Sequence, residues 1–231
     1  MKIKFYGIEA LSLVDLDGML ACTLFTNLCN MRCPFCQNKD LVFNTNLEEI
    51  DFEEVLNFLK LRKNMLDAVC ITGGEPTLYD NLKEVFKKIK EIGYFIKLDT
   101  NGTNPQIIKE LYEEHLIDYV AMDIKNSYDK YYETCGNIVV NMDKIQESID
   151  FLKNSGIKYE FRTTVVKELH TEESLLAMAK WLAPCDKLFL QKFVDHGTCI
   201  KQGLHEINEL QIREILKKMK EIIPNTKLRG Y

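Results

Sequence analysis

The chain has no apolar run long enough to cross a membrane, and residues 1–20 carry Lys2, Lys4, Glu9, Asp15 and Asp17 where a secretion signal needs an apolar core. It also lacks low-complexity segments, linker-like composition and internal repeats, which argues against solenoids and tethered modules. Positive charge is not in surplus: 30 Lys and Arg against 35 Asp and Glu give a formal net charge of -5. A broad nucleic-acid surface is therefore not expected, and a protein or small-molecule partner is. A length of 231 residues lies within the range that α/β barrels fill as one unit. The expectation is a single cytoplasmic domain over 1–231, with neither membrane nor nucleic acid as partner.

Cysteine is not scarce, with eight in the chain. In a reducing compartment that number points to metal or redox chemistry rather than to a disulfide framework. Three of them, Cys29, Cys33 and Cys36, fall within eight residues at C-x3-C-x2-C spacing. What this stretch lacks is a fourth ligand. Closed zinc sites and ordinary ferredoxin clusters take four, so the loop reads as a metal centre with one position open to a substrate. Pro34 resists helix through the loop, and Phe35 can shield a cluster or lie against an adenine. Cys22 and Cys70 sit in apolar runs and read as small buried hydrophobes. Cys135, Cys185 and Cys199 are widely spaced and do not suggest a second cluster.

Apolar, β-branched runs alternate with amphipathic helical patterns. The strand candidates are 21–26, 68–72, 95–100, 119–125, 159–165 and 188–193. Most lack polar alternation, as expected of strands covered on both faces. Helix starts are marked by Asp51, Asp80, Asn104-Pro105, Asn141 and Thr171, and a last helix by Ile212, Ile215, Leu216, Met219 and Ile222. Six strand–helix units are fewer than the eight that close a full barrel. The expected fold is α/β: a partial (β/α)6 TIM-like barrel with parallel strands, open on one side.

In such architectures the site lies at the carboxyl ends of the strands. The cysteine loop follows the first of these six strands, and Thr72-Gly73-Gly74-Glu75-Pro76 the second, where two glycines let backbone approach a ligand. Next come Asp99-Thr100-Asn101-Gly102, Asp123-Ile124-Lys125, Arg162-Thr163-Thr164 and Gln191. Each has a plainer reading: a glycine turn, an Asx turn at Asn101-Gly102, an ion pair between Asp123 and Lys125. Together, beside a three-thiol loop, they suggest a site. His115, His170 and His205 fall at or near helix ends and read as structural or solvated, and Trp181 as helix-face packing.

The three-cysteine motif, with an aromatic before its last cysteine and Gly73-Gly74-Glu75-Pro76 after the next strand, resembles the radical S-adenosylmethionine (SAM) superfamily. Segments 12–15, 98–105, 118–125, 161–165 and 190–191 are similar to the activating enzymes of glycyl radical enzymes. The likeness is nearest to those serving the anaerobic ribonucleoside-triphosphate reductase. The resemblance implies that Cys29, Cys33 and Cys36 hold a 4Fe-4S cluster whose open iron binds SAM. An electron then cleaves the sulfonium C–S bond to methionine and a 5'-deoxyadenosyl radical, which takes hydrogen from a glycine Cα of the partner. A flavodoxin or ferredoxin donor and an oxygen-poor cell are also implied. So are residue roles. Gly73, Gly74 and Glu75 would meet the methionyl amino group, and Phe35 and Gln37 the adenosyl part. Asp99, Thr100 and Asp123 would lie by the ribose or a monovalent cation, with Lys125 and Arg162 adding charge complementarity.

Departures are Gln37 where activating enzymes commonly have histidine, Leu16-Asp17 where the reductase activators tend to have Tyr-Pro, and Val194 where pyruvate formate-lyase activators place a histidine. Two alternatives stay open. One is a radical SAM enzyme acting on a small molecule or peptide, similar to the 7-deazaguanine synthases. The other is an iron–sulfur or zinc carrier, against which the missing fourth ligand and the Gly-Gly-Glu segment argue.

Overall fold

The computed structural model describes residues 2–231. Its strands are β1 (Phe5–Ser12), β2 (Ala21–Thr26), β3 (Ala68–Gly73), β4 (Phe95–Thr100), β5 (Tyr119–Asp123), β6 (Lys158–Val165), β7 (Leu188–Lys192) and β8 (Thr226–Arg229). Sheet order follows chain order from β1 to β8, and the sheet is not closed into a barrel. The α/β class with a mostly parallel, open sheet is thus as read from the sequence. The chain divides into two compact units, each built from two stretches: one from the chain up to Asn30 together with Asp40–Ala121, the other from Met31–Lys39 and Met122–Tyr231.

In the first unit β2, β3 and β4 run parallel, with Ala21 to Thr26 facing Ala68 to Gly73 in register. Val69, Cys70 and Ile71 are fully buried, which is why this strand carries no polar alternation. The helix Phe52–Arg62 is capped by Asp51, whose carboxylate accepts from the Glu53 N–H, and it buries Val55, Leu56 and Leu59. The helix Leu82–Ile92 ends on Gly93 at φ 96°, the left-handed stop that a side chain would disfavour. Asn104 accepts no helix N–H; its amide instead donates to the Thr77 carbonyl, while Pro105 opens the helix Pro105–Glu113.

The sequence reading did not contain β1. It pairs antiparallel with β2, and Gly7 and Glu9 break its apolar run.

In the second unit β6, β7 and β8 are parallel. Asn141 caps the helix Met142–Asn154, and Thr171 with Ser174 forms a capping box on Glu172–Leu182. Trp181 donates to Gln146 Oε1 at 2.7 Å and meets Tyr128 and Tyr131 edge-on, so it packs a helix face as read. The helix Glu209–Ile222 leads into β8, a four-residue polar strand that the sequence reading also lacked. Among the described residues no helix is long and apolar enough to cross a membrane.

Candidate functional site

In the first unit, the chain leaves β2 at Thr26 and turns through Leu28 at φ 56° toward Cys29. The Gly73-Gly74-Glu75 turn is bonded to this exit: Gly74 N–H donates to Thr26 O at 2.8 Å and Glu75 N–H to Leu28 O at 2.7 Å. Gly73 has φ 112°, and a Cβ on Gly74 would lie 1.8 Å from Leu28 O. Both glycines are therefore demanded by backbone packing against the cysteine loop, a role the sequence reading did not give them. Tyr79 adds a hydroxyl bond to Asn27 O at 2.9 Å.

Glu75 is buried, and its carboxylate is held by protein donors. Oε1 accepts from Thr77 N–H (3.1 Å), Thr77 Oγ1 (2.5 Å) and Thr100 Oγ1 (2.7 Å), and Oε2 from Asn101 N–H (2.6 Å). Burial pushes its pKa up, and the bonds from Thr77, Asn101 and Thr100 pull the other way. The carboxylate so ties the end of β3 to the end of β4. Thr100 also accepts from Gly102 N–H at 3.1 Å.

Asp99 lies 2.9 Å from the Lys97 ammonium, and the Lys97 side chain is 1% exposed. Asp15 accepts from Thr23 Oγ1 at 2.5 Å, and Asp15, Cys70 and Asp99 bring potential ligand atoms within 4.8 Å of one another. Lys97 supplies the positive charge for this acidic group from within the chain. Asn101 Nδ2 is 3.8 Å from Cys29 Sγ.

In the second unit, Cys33 and Phe35 are buried and Cys36 is half-buried. A turn joins Cys36 N–H to Cys33 O at 3.0 Å. Residues 199–201 brace it: Ile200 N–H donates to Cys36 O (3.1 Å), Lys201 N–H to Pro34 O (2.8 Å), and the Cys199 thiol to Phe35 O (3.6 Å). On another side Arg32 N–H donates to Cys135 O at 3.0 Å. Gly136, at φ 80°, follows so closely that a Cβ there would lie 2.0 Å from Arg32 O.

The Cys33 thiol is pushed up by its hydrogen bond with Cys135 and by burial, and the Cys36 thiol by burial. Gln37 Nε2 donates to the Val194 carbonyl.

Asp123, Lys125 and Arg162 form one ionic group. Asp123 Oδ1 accepts from Arg162 Nε and Nη2 at 3.0 Å, and Oδ2 from Lys125 Nζ at 3.1 Å. Burial alone would lower the Lys125 pKa; Asp123 and the Cys33 sulfur outweigh it, and the ammonium is held well above its ordinary value. Two cations on one carboxylate leave a net positive charge suited to an anionic group. Buried His170, directly behind, accepts Val166 N–H at Nδ1 (3.0 Å) and donates Nε2–H to Lys125 O (2.9 Å). Gln191 lies at the end of β7.

Among the described residues all eight cysteines are outside disulfides. The first unit thus gathers Cys29, Gly73, Gly74, Glu75, Asp99 and Thr100. The second gathers Cys33, Phe35, Cys36, Gln37, Asp123, Lys125 and Arg162. Unread from sequence were Asn101 as a donor to Cys29 and Cys135 as a neighbour of Cys33. Both contacts join distant parts of the chain, and no spacing rule links them.

The donor set fits a thiolate-ligated cluster: three thiols in one eight-residue stretch, with an amide donor against Cys29.

The sequence profile of the radical SAM superfamily matches residues 23–182. A Methanocaldococcus jannaschii protein named as a glycyl-radical enzyme activating enzyme is 35% identical, over 99% of this chain and 97% of its own. The 7-carboxy-7-deazaguanine synthase of Thermococcus kodakarensis is 27% identical over 68% of this chain and 68% of its own. The crystal structure of Streptococcus suis SuiB is similar in fold, with TM-score 0.68 at 17% identity. The match covers 88% of this chain and 47% of SuiB.

Proposed function

Because the chain belongs to the radical SAM superfamily, whose cofactors are a 4Fe-4S cluster and SAM, we propose that it is a glycyl radical enzyme activating enzyme. Its cluster ligands are Cys29, Cys33 and Cys36. The observation that carries this reading is the 35% identity to the M. jannaschii activating enzyme along nearly the full length of both chains. When bound and reduced, the cluster supplies the electron that splits the sulfonium C–S bond of SAM. That chemistry would serve to remove a hydrogen atom from a glycine Cα of a partner protein.

The chain's own residues bind and orient. Gly73 and Gly74, with no Cβ, let the Gly-Gly-Glu turn pack against the exit of β2, and this turn would meet the methionyl amino group beside Glu75. The net positive charge of Asp123, Lys125 and Arg162 complements a carboxylate. Phe35 and Gln37 flank the adenosyl part, and Asp99 and Thr100 the ribose. Thiolates are the ligands, and the raised thiols of Cys33 and Cys36 mean that loading releases protons from both.

The proposed partner is the anaerobic ribonucleoside-triphosphate reductase, on the likeness of segments 98–105 and 118–125. The proposed electron donor is a flavodoxin or ferredoxin, in the cytoplasm of an oxygen-poor cell. A second reading, a small-molecule radical SAM enzyme, is supported by the T. kodakarensis synthase relative.

One anaerobic experiment separates them. The reconstituted protein is reduced with SAM, 5'-deoxyadenosine is measured, and electron paramagnetic resonance is recorded with and without the reductase. Deoxyadenosine together with a protein glycyl doublet is the expected result. Deoxyadenosine without the doublet favours the second reading, and no deoxyadenosine sinks both.

A further inference from the structure

Asn101 follows β4 and is 5% exposed. Its amide orientation is fixed by its neighbours. Thr103 N–H, which can only donate, lies 3.1 Å from Oδ1, and the Thr103 hydroxyl donates to the same atom at 2.7 Å. The other atom must therefore be nitrogen. Nδ2 carries two hydrogens: one goes to Asn30 Oδ1 at 2.8 Å, the other faces Cys29 Sγ at 3.8 Å, within reach for a sulfur acceptor. Asn30 Nδ2 closes the ring by donating to Thr103 Oγ1 at 2.8 Å. The backbone of Asn101 is pinned as well, through its N–H on Glu75 Oε2. Every hydrogen-bonding atom of this side chain is committed, and one commitment is to a sulfur.

We infer that Asn101 is a positioning residue that sets the reduction potential of the cluster through an N–H···S bond to Cys29. This rests on the proposed ligation by Cys29. A hydrogen bond to a ligand sulfur draws electron density from the thiolate and favours the more negatively charged, reduced cluster. Asn101 thus keeps the potential within reach of a protein electron donor while the cluster stays reducing enough to cleave a sulfonium. The Asn30–Asn101–Thr103 ring holds the donor in place, so the effect is built into the fold rather than induced by a ligand.

The test is an electron paramagnetic resonance-monitored redox titration of the reconstituted protein. Asn101→Ala is expected to shift the midpoint to more negative potential at unchanged iron content. Asn101→Asp, which replaces the donor by an acceptor, is expected to shift it further. Deoxyadenosine formation should then fall with flavodoxin as donor and recover with a stronger chemical reductant, a split that a merely structural role would not produce. Should Asn101→Ala fail to hold iron, Thr103→Val carries the test, since it keeps the amide and the Thr103 N–H bond but removes the hydroxyl that anchors Asn101 and Asn30; a smaller shift in the same direction is expected. An unmoved midpoint in an iron-loaded variant overturns the inference. Retention of full iron and cleavage by Cys33→Ala would instead overturn the ligand assignment, so the two failures are told apart.

Discussion

The Cα of Gly74 stands so close to the Leu28 carbonyl that a Cβ would come within 1.8 Å of its oxygen and 2.7 Å of Asn27 O. These are backbone atoms and cannot swing aside. Gly74→Ala must therefore push the Gly-Gly-Glu turn away from the cysteine loop and break the bonds from Gly74 and Glu75 to Thr26 and Leu28. The expected loss is about 3 kcal/mol, at the upper end for overpacking. Urea unfolding of the apo-protein measures it, and a loss near zero would show that the turn yields freely.

Asp123 separates two cations, and removing it leaves Lys125 and Arg162 facing each other around an uncharged amide. Asp123→Asn is expected to cost about 2 kcal/mol, since the group is largely buried but the Asp123 side chain is partly wet. Adding Lys125→Met should return at least about 1 kcal/mol of that, because the repulsion goes with the lysine. Additive losses in the double variant would mean the group is not coupled.

His170 gives the fold a pH dependence with a definite sign. Burial lowers its pKa below the ordinary 6.5, against the pull of its bonds to the Lys125 and Val166 backbone. Below 6.5 the unfolded chain binds the proton more readily than the folded one. The stability His170 contributes is therefore full above 6.5 and is lost as the pH falls from there through the folded value, by up to about 1.4 kcal/mol per pH unit. His170→Gln should flatten this part of the stability curve in chemical denaturation between pH 7 and 5, relative to the wild type, as an order-of-magnitude window. An equal slope in both proteins would show that other groups carry the dependence.

How far this was legible in the sequence follows from which interactions are local. β2 has the bounds of its apolar run, because a strand covered on both faces has no alternation to confuse them; β4 has the bounds read for it although Lys97 and Asp99 alternate with its apolar residues. Asn141 and Thr171 announced helix starts through local capping chemistry. β1 and β8 did not announce themselves. One is interrupted by Gly7 and Glu9, the other is Thr-Lys-Leu-Arg, and both are recruited by a neighbouring strand rather than by their own pattern. Which residues stand at the strand ends was readable, since topology places them. The partners of their polar atoms were not: Glu75 reaches Thr100, and Asn101 reaches Cys29, across elements that meet only in the folded chain.

Cys135 supplies the sharpest test of the open-site reading, because a fourth thiol beside Cys33 is what a closed site would need. The thiol is fully buried, within hydrogen-bond reach of Cys33, and directed at Met31 Sδ at 3.6 Å. Its backbone grips Arg32, and Gly136 leaves no room for a Cβ, so the segment's evident work is to fix the cysteine loop. If Cys135 is a buttress, Cys135→Ser should keep the iron and the ability to cleave SAM, while Cys33→Ala loses both. Gly136→Ala, which keeps all four thiols but must displace Arg32, should lower iron incorporation severalfold. Iron analysis and deoxyadenosine assay on the three variants decide the matter. Loss of iron from Cys135→Ser to the extent seen in Cys33→Ala would make Cys135 a fourth ligand and close the position proposed for SAM.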